Sequence, residues 1–172
     1  SNQLGRNPQE NQQFQETTSA IRQAVQSIPD LKEVAKNLIV DQTPQGLRIQ
    51  IVDQEGLPMF PAGGGQMLPR ARELMEVVAK AVKTLPNKVA IAGYTDSARF
   101  ARPDLRDNWD LSVDRANATR RALVAAGLSD DRIATVEGKA DQDPLIKDDP
   151  TSPRNRRISI VLLREGQEGA RP

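Results

Sequence analysis

A chain of 172 residues, 37% hydrophobic and 27% charged, can bury a real core and fits one globular domain with extra elements. Its 24 basic and 23 acidic residues leave a net charge of +1 without a lysine-rich cluster, which argues against a grip on nucleic acid. Without Cys or His it builds no disulfide, no zinc site of the usual type and no nucleophile with a histidine base, and no apolar run is long enough to span a bilayer.

In chain order, Gln3 to Gln15 is rich in Gln and Asn and reads as linker or frayed helix. Phe14, Ile21, Val25 and Ile28 then fall on one helical stripe, interrupted by Pro29. Asp30 caps a second short helix carrying Leu31, Val34, Ala35 and Leu38. The stripe is narrow, so the segment from Gln9 to Val40 is expected to be helical and to open at lower cost than the sheet, with Ile21, Val25 and Ile28 resting on the domain or on a second copy.

"GLRIQIVD" alternates Leu47, Ile49 and Ile51 with Arg48 and Gln50, the period of a strand. After the turn "PAGGG", Met67, Ala71, Leu74, Val78, Ala81 and Leu85 keep helical spacing, with Pro69 in the first turn and Pro86 closing the element. "KVAIAGY" is a second strand, Lys88 to Tyr94. A helix follows with Ser112 as its N-cap and Gly127 as its stop. "RIATVEG" is a third strand and "RRISIVLL" a fourth, with Ile158, Ile160 and Leu162 on one face. The order β-α-β-α-β-β implies an α+β sandwich, helices on one face of a mixed sheet, preceded by N-terminal helices. The tail from Arg164 to Pro172 holds no core residue. The division is therefore 1–45 linker and N-terminal helices, 46–164 globular domain, 165–172 disordered tail.

Between Gly93 and Leu123 acids and arginines crowd around the single tryptophan. Asp96 follows the end of a central strand, and Arg115 lies early in the next helix, on the same sheet edge. The two can form an internal salt bridge, or a split receptor whose carboxylate takes an ammonium and whose guanidinium clamps a carboxylate. The residues alone leave both open.

Thr95-Asp96, then Asn108, Leu111, Ser112, Arg115 and Ala116, and finally Asn155 to Ile158, resemble the signature of OmpA-like peptidoglycan-binding domains. "GLRIQIVDQEGLPMF", "NWDLSVDRANATRRAL" and "PRNRRISIVLL" are similar to the flagellar-stator branch of that family, over about Leu31 to Leu163. The resemblance implies an OmpA-like fold for residues 46–164. It implies that Asp96 and Arg115 hold the diaminopimelate end of the peptidoglycan stem peptide. Thr95 and the turn from Asn108 to Leu111 would stand beside it, and Asn155 and Arg156 would line the same edge.

Relatives usually carry His where this chain has Tyr94. Phe60 reads better as a core residue than as a site residue, and Trp109 better as a packing anchor than as a sugar platform. Arg99, Arg102 and Arg106, in an insertion typical of the stator branch, either touch glycan or solvate a loop, and the loop is favoured. The resemblance further implies a homodimer, a channel subunit of the MotA type reached through a membrane helix absent from this sequence, a periplasmic location, and neither cofactor nor catalysis. Two alternatives stand beside this non-catalytic anchor of a motor stator: a general cell-wall tether, and a glycosidase drawing on Asp96, Asp110 and Asp114.

Overall fold

The computed structural model describes residues 4–54 and 56–166. Helix α1 (Pro8–Ser27) is followed by two short 3-10 turns, strands β1 (Leu38–Gln42) and β2 (Gly46–Val52), helix α2 (Pro69–Val82), strand β3 (Val89–Tyr94), helix α3 (Asn108–Ala125), and strands β4 (Ile133–Gly138) and β5 (Arg157–Leu163). The sheet runs β1-β2-β5-β3-β4, antiparallel except for the β3/β4 pair. From β2 onward this is the expected β-α-β-α-β-β order. No helix among the described residues is long and apolar enough to cross a membrane.

The alternation read from the sequence sets the two faces. Leu47, Ile49 and Ile51 of β2 and Ile158, Ile160 and Leu162 of β5 join one core with Ala71, Leu74 and Val78 of α2 and Ala116 and Leu123 of α3. Ala90, Val161 and Leu163 form a smaller cluster on the reverse face. Helix α3 lies close on the sheet because two strand positions lack a side chain. A Cβ at Gly93 would strike the Ser112 main-chain carbonyl, and one at Gly138 would come within 2.5 Å of Val113 Cγ2.

Four expectations need correction. Residues 38–42 are a strand rather than a helix end: the Asn37 amide donates to Val52 O at 2.7 Å and Leu57 O at 3.0 Å, which stops the helical turns and lays Leu38 and Val40 against β2. The division at residue 45 therefore falls between two paired strands. Helix α3 starts at Asn108, not Ser112, because Asp107 and Asp110 form a reciprocal capping box. Ser112 lies inside it, where its hydroxyl donates to Trp109 O and accepts from Ala140 N.

The N-terminal segment is helical from Pro8, with Asn7 Oδ1 accepting from the N–H groups of Gln9 and Glu10. Phe14, Ile21 and Val25 are fully buried in the main core, while Ile28 stays 37% exposed. Burying each of the three contributes roughly 1.5–3 kcal/mol. Arg164 is the fourth correction, since it is buried rather than part of a free tail. Its guanidinium donates to Thr43 O and to Asn11 Oδ1, and lies 5.4 Å from the Phe14 ring centre. Glu10 accepts from Asn87 and from Glu165 N on the same clasp. Residues 167–172 lie outside the described residues.

Gly93→Ala should force α3 off the sheet and lower stability by about 1–3 kcal/mol, read as an earlier midpoint in urea unfolding. An unchanged midpoint would mean that α3 sits farther from β3 than described. Arg164→Ala should speed amide exchange across residues 14–25 by about tenfold or more, since hydrogen bonds to a charged group are lost, and leave Val89 to Ala92 nearly unchanged. Equal acceleration in both segments would make the clasp part of global stability instead.

Candidate functional site

Because β5 lies between β2 and β3 and runs antiparallel to both, the residues after β2, after β3 and before β5 meet at one sheet edge. These are Asp53, Thr95-Asp96 and Arg156. Over them lie the first turns of α3, which present Asn108, Leu111 and Arg115 along one stripe. The loop from Pro58 to Gly63 and the loop carrying Arg99 and Phe100 close the sides. The result is a cavity of about 490 Å³.

Arg156 is the charged pivot. Its Nε donates to Asp53 Oδ2 at 2.9 Å and its Nη1 to Asp96 Oδ2 at 2.7 Å. Burial opposes its charge, but the bonds to both carboxylates outweigh that and raise its pKa above the ordinary guanidinium value. For Asp53, which is 4% exposed, burial prevails and raises the carboxyl, against the pull of Arg156 and of the Met59 N–H at 2.9 Å. At 2.9 Å from the Arg156 Nε, the Asp53 carboxylate is nonetheless that guanidinium's ion-pair partner. Asp96 accepts in addition from Ala98 N at 2.9 Å.

Arg115 is held differently. Its Nε donates to Gly64 O at 2.9 Å and its Nη2 to Pro61 O at 3.1 Å, and its guanidinium lies 4.9 Å from the Phe60 ring centre. Both hydrogen-bond partners are neutral. Burial pushes the guanidinium down to about 10, partly opposed by Asp53 and Asp96, so it is still protonated at neutral pH. Of its five N–H donors, three have no partner among the described residues. No ion pair joins it to Asp96 among those residues. The internal salt bridge between the two is therefore not formed, and Asp96 pairs with Arg156.

Six of the seven site residues expected from the sequence line this cavity: Thr95, Asp96, Asn108, Leu111, Arg115 and Arg156. Asn108 latches the Asp96 turn by donating to Ala98 O at 2.9 Å and Asp96 O at 3.3 Å. Asn155 does not reach the wall. It is fully buried, accepting from Ile146 N and donating to Asp149 O and Pro150 O, and so fixes the loop whose Pro150 carbonyl receives Ser97 N–H.

Phe60 is both core and wall. Tyr94 stands off the cavity, under the Arg157 guanidinium at 3.8 Å. Trp109 is 49% exposed and is not a buried anchor. Sequence reasoning missed Asp53 and Phe100. The signal for Asp53 was an acid directly after the alternating run, in register with the residue before β5.

The chain resembles known proteins. The profile of the OmpA family matches residues 59–157. Motility protein B of Escherichia coli K12 is 36% identical over 149 residues, covering 86% of this chain and 48% of that protein. Peptidoglycan-binding protein ArfA of Mycobacterium bovis is 32% identical over 154 residues, covering 82% of this chain and 46% of that protein. The chain spans about half the length of these curated relatives. Among solved structures, a MotB-like protein from Desulfovibrio vulgaris superimposes with a TM-score of 0.71 at 21% identity, covering 89% of this chain and 95% of that one. The matched span holds the cavity loops, α3 and the start of β5, and on that footing the chain belongs to the OmpA family.

Proposed function

We propose that this chain is the peptidoglycan-binding anchor of a flagellar motor stator of the MotB type, and that its cavity takes the diaminopimelate end of a stem peptide. The observation that carries the reading is that Asp96 and Arg115 face one cavity without pairing to each other. Arg115 rests on neutral carbonyls, so its charge is left for a ligand carboxylate, which three coplanar donors can clamp. Asp96 retains lone pairs for an ammonium. Between them Pro58, Phe60, Phe100 and Leu111 offer apolar walls to the methylene chain of such a ligand.

Strands β1 to β5 with α2 and α3, residues 38–164, form the wall-binding unit, and α1 joins it to the rest of a longer protein. That protein would be an inner-membrane dimer with this part in the periplasm, its membrane helix contacting a channel subunit of the MotA type. The similarity to Motility protein B favours the stator over a general tether. Catalysis fits the site poorly. Asp53 and Asp96 are both tied to Arg156, and Asp114 to Arg106 at 2.8 Å, so none stands as a free acid opposite a second carboxylate. A strain lacking the gene should keep its flagella and lose swimming; normal swimming would favour the general tether.

Arg115→Lys keeps the charge but loses the planar fork, so its co-sedimentation with insoluble peptidoglycan should fall by about tenfold or more. Unchanged binding would remove Arg115 from the site. Asp53→Asn keeps an acceptor for Met59 N–H while taking one charge from Arg156. Binding should weaken by about tenfold, the scale of a charge-assisted hydrogen bond. A variant that binds as the parent does would reduce Asp53 to a loop anchor.

A further inference from the structure

The cavity holds more positive charge than a zwitterion needs. Arg156 is shared by Asp53 and Asp96, so that group of three carries one net negative charge. Arg115, bonded only to neutral carbonyls, carries one positive charge. A ligand ammonium on the first and a ligand carboxylate on the second complete the balance.

Arg99 is then left over. It lies on the cavity wall, solvent-exposed, and has no hydrogen-bond or ion-pair partner among the described residues. The other two arginines of its loop are occupied: Arg102 is paired with Asp104 at 2.9 Å, and Arg106 with Asp114 at 2.8 Å while lying 5.7 Å from the Phe100 ring centre. Merely solvating the loop would not require the one unpaired guanidinium of the three to stand at the cavity. We propose that Arg99 is a specificity-determining residue that reads a second ligand carboxylate, so that the site selects stem ends carrying one more negative charge than the zwitterionic centre supplies.

This rests on the function proposed above. Diaminopimelate has two carboxylates and two amines. When it ends a stem peptide, one amine is consumed in the chain, leaving an ammonium and a carboxylate at the far centre and a second, C-terminal carboxylate. Arg115 and Asp96 would take the far centre, and Arg99 would take the C-terminal carboxylate at the mouth. Amidation of that carboxylate removes the charge and keeps the size.

The test is titration calorimetry with two soluble tripeptides ending in diaminopimelate, one with a free C-terminal carboxylate and one with that carboxylate amidated. The unaltered protein should prefer the free form by about fivefold, the upper range for an exposed ion pair, and less at high salt. Arg99→Gln should bind both forms alike, at the affinity the unaltered protein shows for the amide. Arg99→Glu should prefer the amide. Equal affinity of the unaltered protein for both peptides, or a preference that survives in Arg99→Gln, overturns the assignment. Arg115→Ala separates the two readings: loss of both peptides keeps the underlying site whatever Arg99 does, and undiminished binding of both sinks the site itself.

Discussion

Arg156 stands between two carboxylates because β5 stands between β2 and β3, and the cavity at that sheet edge depends on the arrangement. Asp53 follows one neighbouring strand and Asp96 follows the other, so a guanidinium just before the central strand reaches both, at 2.9 and 2.7 Å. Two acids on one sheet edge would repel without it. Desolvating two carboxylates is costly, and the guanidinium between them, whose side chain stays 32% exposed, offsets part of that cost while fixing their positions. Here the geometry extends further. Asp53 also receives the Met59 N–H, which fixes the start of the loop whose Pro61 and Gly64 carbonyls hold Arg115.

Arg115 is the complementary case, a cation desolvated without an acid at bonding distance. Burial lowers its pKa to about 10, a measure of how unfavourable the site is for a bare charge. A carboxylate arriving from a ligand relieves that cost, whereas a built-in one would have satisfied the guanidinium and closed the site. An exchange of some stability for a poised group is what the proposed binding role requires. The arrangement also bears on the choice left open by the sequence. An acid and a base at one edge pair when they face each other; here each is oriented by something else, Asp96 by Arg156 and Arg115 by the Pro61 and Gly64 carbonyls.

How much of this was legible in the sequence depended on whether a feature is periodic. Strands β2 and β5 were readable because Leu47, Ile49, Ile51 and Ile158, Ile160, Leu162 alternate against polar neighbours. Strand β1 was not: Leu31, Val34, Ala35 and Leu38 fit a helical period equally well, and what ends the helical turns is the reach of Asn37 to Val52 and Leu57, contacts distant in sequence. The start of α3 was misplaced because an aspartate pair, Asp107 and Asp110, serves as the capping box while a better-looking Ser112 follows inside the helix. Within the site, motif residues were readable and their partners were not. Asp53, 103 residues from Arg156, and Arg164, 153 residues from Asn11, are functions of sheet order.

The same sheet order bears on how such a domain would carry load. Strand β5 begins beside Arg156 at the cavity and ends beside Arg164, where the start of α1 is clasped. Its seven residues span roughly 20 Å at about 3.3 Å per residue. A pull between the wall and the N-terminal side would thus enter and leave at opposite ends of one strand. That strand is hydrogen-bonded on both sides, to β2 and to β3, so the force runs along the ladder and loads many bonds together rather than peeling them one by one. Edge strand β4, paired on one side within the sheet, is off that path. A fold that places the cavity arginine and the N-terminal clasp at opposite ends of one central strand is therefore suited to holding against tension, and the weakest element along the path is α1, held by a single buried face and the Arg164 clasp.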